Sequence, residues 1–424
     1  MCLGDATTQT LPFETDAATV MRRMRGALAQ LVAAVPGGAS KPVEFCKALG
    51  IDMKLSWTLF QIVGATDLLA AGRYVPRPGA TRKLLHAAAR HGLSDDLIQR
   101  VAGASAEFER LVKVHAGDRP TFDLMISGRA SNGPDWIHIT HRRDAFRANS
   151  HIWGVQAKTR LLTHFLQPGS DAGMTDGAVV RGLIGFRRIR PNVPWVIARA
   201  RCVDNDGVVR RIPARTPLDP PPGETPAGTE AVPFLTEFCT QPLPTCRSIH
   251  RADGFIEHEL VEGPVGSTAA FTCVMGDVVR NAAPYYQDEH NPFNEYTAFV
   301  RIPCEALIND VFVHEDMFGP LTPELIVYGD FLGGPEYPAG GREPPRLPVD
   351  ESVDYLGKGP DVVATADVPR YAELAHYVFE RLGWDGERFD VYRVRVAYPV
   401  VPSIVIMRHP LRSRSEPTMG SSRR

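Results

Sequence analysis

Between Ser40 and Val63 the 424-residue sequence gathers side chains able to meet a nucleic acid. Lys54, Thr58 and Gln61 can donate hydrogen bonds to base edges or phosphates, with Ser56 and Trp57 set among them. Lys41 and Lys47 stand just upstream, Arg22, Arg23 and Arg25 further up, and Arg82 and Lys83 downstream, as cations suited to phosphate oxygens. A second group is dense in arginine: residues 129–215 hold 15 Lys+Arg against 6 Asp+Glu. There Arg199 and Arg201 alternate with Ala198, Ala200 and Cys202, so on a strand the two guanidiniums share a face. With Arg210 and Arg211 they form a candidate grip on an anionic effector, because guanidinium forks pair with phosphate or carboxylate. A salt-bridged surface facing acidic residues is the competing reading.

Positioning the first group falls to helices. Met21, Met24, Leu28, Leu31, Val32 and Val35 recur at the helical period and end at Pro36-Gly37-Gly38. Ser40 to Val63 reads as a short helix, a tight turn at Gly50 and a second helix capped by Asp52. On the second helix Leu55, Leu59, Ile62 and Val63 form the buried stripe, which leaves Met53, Lys54, Trp57 and Gln61 outward and Ser56 and Thr58 on the borders. This segment resembles the helix-turn-helix regulators of bacteria, with small Cys46 four residues before the turn glycine and Leu49 and Ile51 flanking it. Ser56 stands where such regulators usually carry Val or Ile. The resemblance implies a recognition helix in the major groove of duplex DNA and a homodimer reading two half-sites. In the plainer alternative the segment is one hairpin of a helical bundle and Trp57 packs on the next helix.

Further helices are expected near 42–49, 53–64, 81–91, 94–102, 104–115 and 119–127, which makes an all-helical domain over 17–128 after a poorly ordered leader, 1–16. Beyond residue 134 strands are expected at 136–140, 151–165, 194–203, 208–212, 389–398 and 403–407. A hairpin is expected to join 255–261 to 268–274, and a helix to open at Asp367-Val-Pro369 and end at Gly383. The fold class is α+β: an N-terminal helix-turn-helix domain followed by a larger, mainly antiparallel, β-rich domain over 135–408 with a C-terminal helix. Residues 217–226 and 333–348 read as Gly/Pro-rich loops and 409–424 as a disordered tail.

The net charge of −2 conceals asymmetry: residues 1–215 sum to +12 and residues 216–424 to −14. The basic half therefore faces either phosphate or its own acidic partner. Seven cysteines without a C-x-x-C pair argue against a disulfide framework or a zinc ribbon. His138 with His141 and His151, Asp288-Glu289-His290 with Glu295, and His314-Glu315-Asp316 lack diagnostic metal spacing, and no metal or other cofactor is assigned. No common hydrolase, nucleotide-binding or cysteine-protease signature occurs, so no catalytic residue is assigned. No apolar run is long enough to span a membrane and no leader peptide is evident, so a cytoplasmic location is expected. The leading expectation is a DNA-binding transcriptional regulator whose C-terminal domain senses a ligand or dimerises. The rivals are an enzyme on an anionic substrate, with His138, His141, His290 or His314 as acid or base, and an assembly protein.

Overall fold

The computed structural model describes residues 11–35, 38–127, 136–200, 215–220, 232–250, 256–261, 263–284, 286–287, 292–318, 321–329 and 346–413, with backbone only at 127, 136–138, 199–200 and 256. Of the tail expected at 409–424, residues 409–413 are described and His409 and Pro410 belong to a strand; its remainder, the expected strand at 208–212 and most of the 217–226 and 333–348 loops lie outside these residues. The chain divides into two units, Met1–Ile137 and His138–Arg424.

The first unit is all helical among its described residues: α1 Phe13–Ala33, α2 Pro42–Leu49, α3 Met53–Val63, α4 Pro78–Arg90, α5 Asp95–His115 and α6 Arg119–Ser127. Met21, Met24, Leu28 and Leu31 bury the α1 stripe against Phe108, Leu111 and Phe45. Two expectations change here. Asp95–His115 forms one helix, not the two expected at 94–102 and 104–115, because Gly103 sits inside a continuous amphipathic stripe of Val101, Ala104, Phe108 and Leu111. Residues 13–16 belong to α1 and not to a leader; buried Asp16 accepts hydrogen bonds from Arg110 at 3.0 and 2.8 Å and lies 3.0 Å from His115 Nε2.

The second unit begins with α7, Trp136–Trp153, where β-branched residues had suggested strands at 136–140 and 151–165. The first of these is wholly helical. The helix runs on through His151 to Trp153 before β1, Val155–Pro168, so the second expected strand starts late. Next come β2 Met174–Arg188, β3 Trp195–Ala200, β4 Thr216–Pro217, β5 Cys246–His250, β6 Ile256–Leu260, β7 Phe271–Pro284, β8 Phe293–Val300, β9 Cys304–His314, β10 Glu324–Tyr328, β11 Val353–Lys358, α8 Tyr371–Leu382, β12 Phe389–Ala397 and β13 Ser403–Pro410. The α+β class holds, a helical N-terminal part followed by a β-rich one.

Seven strands form the main sheet in the order β11-β12-β9-β1-β2-β7-β4. Its pairs are antiparallel except β1 with β9. One face packs on α8, where Phe165 stacks on Phe312 at 4.6 Å and Phe379 meets both edge-on. The other face packs on a three-stranded sheet, β10-β13-β8, through Leu162, Val311, Val394, Val405 and Met407. The hairpin expected between 255–261 and 268–274 does not form: β6 pairs with β3 and β5, while β7 pairs with β2 and β4. Polar Glu257 and His258 find partners in that small separate sheet, whereas apolar β7 completes the core.

Candidate nucleic-acid interface

Helices α2 and α3 are joined through Gly50, whose φ of 62° lies in the left-handed region that glycine occupies without a Cβ penalty. Asp52 then starts α3 by accepting the Leu55 N–H at 2.8 Å, which satisfies one of the free donors of a helix start. Leu55, Leu59 and Ile62 seal α3 onto the unit's core. Its other face is open: Met53 and Trp57 are each 45% exposed and Lys54 is exposed, while Gln61 is half-buried. Trp57 meets the Tyr74 ring edge-on at 5.7 Å and keeps an outward surface. Arg73 lies over the same Tyr74 ring at 4.8 Å, so the indole is braced.

Five of the sequence-predicted contacts are revised. Ser56 is 0% exposed and donates to the Pro42 carbonyl at 2.6 Å, so it clasps α3 to α2 and cannot reach a phosphate. The Thr58 hydroxyl donates to Lys54 O at 2.7 Å and is turned back on its own helix. The upstream arginines are committed: Arg22 donates to Ala18 O, Arg23 pairs with Glu107 at 2.8 Å across α1 and α5, and Arg25 reaches Ala65 O. Lys41 and Lys47 stay exposed on α2 and its approach.

The second predicted group cannot be assembled. Arg201, Arg210 and Arg211 lie outside the described residues, and Arg199 is seen only as a β3 backbone position opposite Glu257. Other arginines of that stretch are structural. Arg142 pairs with Glu351 at 2.7 Å, Arg181 with Asp277, and buried Arg188 donates to Val261 O at 2.7 Å. Divided at the unit boundary, the charges become 16 Lys+Arg against 13 Asp+Glu and 31 against 36. Much of the asymmetry therefore closes inside the second unit.

Strand register also builds two buried polar groups that no linear motif announced. On the α8 face, Arg393 donates to both oxygens of fully buried Asp310, with the closest contact 2.7 Å. Tyr371 donates to the same carboxylate at 2.9 Å and lies 2.7 Å from Thr163 Oγ1. On the opposite face His164 is held down to about 3 by burial, with Arg181 and Arg215 nearby; its Nε2 has no hydrogen-bond partner. Burial pushes Arg181 down to about 9. Cys246 and Cys304 are pushed up to about 12 by burial, so these thiols stay protonated and unreactive. Among the described residues no three His, Cys, Asp or Glu gather as metal ligands, and no helix is long and apolar enough to cross a membrane.

Comparison with known proteins finds no matching family model, no matching curated relative and no matching solved structure.

Proposed function

We propose that this chain is a DNA-binding regulator that reads duplex DNA with the outer face of α3, its second unit serving to sense a ligand or to dimerise. The observation that carries the reading is the α2–Gly50–α3 arrangement, with Asp52 capping a helix that leaves Met53, Lys54 and Trp57 uncovered. A helix anchored by one apolar stripe and open on the other can enter a major groove without unfolding anything. Lys54 and Gln61 supply donors for base edges, and the braced Trp57 supplies apolar contact for a thymine methyl or a sugar. The enzyme rival draws less support, because Arg142, Arg181 and Arg188 are already engaged inside the fold.

Selection from a random duplex pool, followed by anisotropy titration, tests the reading. One enriched sequence should emerge, and Lys54→Ala with Gln61→Ala should lower its preference over scrambled duplex about tenfold or more. Failure of the unmodified chain to enrich any sequence overturns it.

A further inference from the structure

A groove of about 460 Å³ runs between the α2–α3 turn and α4, with Gly50 and Asp52 on one wall and Arg82, Lys83, His86 and Arg90 on the other. We infer that this groove holds the sugar-phosphate backbone of the duplex that α3 reads, with α4 as its phosphate clamp. The inference rests on the DNA-binding reading and adds the surface that supplies its electrostatic affinity.

Helix α4, Pro78–Arg90, contains no acidic residue. Thr81, Leu84 and Ala88 turn inward, so Arg82, His86 and Arg90 line up along the outer stripe, with Lys83 beside them. All four are exposed. Elsewhere in the unit Arg23 pairs with Glu107, Arg110 with Asp16, Arg119 with Asp123 and Arg100 with Asp96, Arg22 and Arg25 donate to backbone carbonyls, Arg73 lies over the Tyr74 ring, and Arg77, just before α4, has no ion pair among the described residues. Arg82, Lys83 and Arg90 make no ion pair or side-chain hydrogen bond among the described residues. The one acid on the opposite wall, Asp52, already accepts from Leu55 N. Three permanent cations thus face a single carboxylate.

Length selects the ligand. Arg82 to Arg90 spans eight residues, about 12 Å at 1.5 Å per residue, which matches the axial rise of about three to four phosphates of one strand at 3.4 Å each. A free phosphate would engage one end of such a stripe, whereas a continuous backbone engages all of it. The groove also begins at the turn that launches α3, so a backbone seated there runs beside the helix that faces the bases.

The test uses the full chain and a labelled duplex titrated across a KCl series, with pyrophosphate as a second probe. Compared are the wild type, Arg82→Ala/Lys83→Ala/Arg90→Ala, and Lys54→Ala/Gln61→Ala, all checked for an unchanged circular dichroism spectrum. The α4 triple variant is expected to bind about 100-fold more weakly at low salt, with a salt slope shallower by about 3 and an unaltered sequence preference. The α3 variant should lose preference and keep most of the slope. If the α4 variant keeps the wild-type slope while the wild type still prefers one sequence, the clamp is refuted and the regulator reading stands. If the wild type binds duplex without preference and the α4 variant loses the slope, the clamp stands and sequence-specific reading fails. Pyrophosphate binding that depends on α4, without duplex binding, or no binding of either probe, overturns the clamp.

Discussion

The buried arginines of the second unit and the cations of α4 in the first are used in opposite ways. In the second, Arg393 and Arg181 are drawn into the sheet and tied to Asp310 and Asp277, and Arg188 is buried against backbone carbonyls. In the first, Arg82, Lys83 and Arg90 stand exposed along a helix without acids. Burying a charge is unfavourable unless a partner is fixed beside it, so these buried cations are tied into the structure. Exposed unpaired cations add almost nothing to stability and remain available to a partner. Charge by itself therefore says little about function here; the degree to which it is already matched says much more.

Arg393→Met offers the severest test of that contrast, since it leaves the Asp310 carboxylate buried without its counter-charge; about 3–5 kcal/mol should be lost in urea unfolding of the second unit. Adding Asp310→Asn should restore part of the loss, and a cost under about 1 kcal/mol would erase the distinction. The same unit should weaken in acid through His164. Its folded value of about 3 lies below the ordinary 6.5, so the unfolded state takes up the proton first and stability falls as pH drops from 6.5 towards 3. The slope contributed should approach 1.4 kcal/mol per pH unit, and His164→Gln should flatten it.

Asp16→Ala brings the first unit into the comparison, because here too a carboxylate is matched. Half-exposed Arg110 limits the expected loss of thermal stability to about 1–2 kcal/mol. The hydrogen bond from Arg110 holds Asp16 below its usual 3.8, so its contribution is present above that pH and disappears as pH falls through the lower folded value. Ser56→Ala should cost about 1 kcal/mol through the lost bond to Pro42 O, with α3 keeping its helical signal. Smallest of all, the triple alanine change on α4 should shift stability by no more than about 0.5 kcal/mol, measured in the same melts. A larger loss would mean that those cations are structural after all.

Local chemistry made the first unit readable in sequence. Gly50, Asp52 and the apolar period placed α2 and α3, and the same period correctly turned Lys54 and Trp57 outward. Period alone could not show that Arg23 meets Glu107, 84 residues away, or that the Ser56 hydroxyl is absorbed by Pro42. The α4 cations were visible only one by one, because their significance depends on the absence of partners. In the second unit, Trp136 to Thr140 carried strand-forming residues yet begins a helix, and β6 and β7 were near in sequence but belong to different sheets. The Asp310–Arg393–Tyr371 group needs β9, β12 and α8 brought together, which no spacing in the chain encodes.

The lone parallel pairing at the centre of the main sheet sets an order of events as the chain is made. Ala157 of β1 meets Cys304 of β9, so the middle of that sheet cannot close until nearly 150 further residues have left the ribosome. Helices complete their hydrogen bonds within single segments, and topologies with distant pairings fold more slowly. A growing chain can therefore carry a finished α2–α3 pair and its cationic α4 while its β-rich partner is still half synthesised.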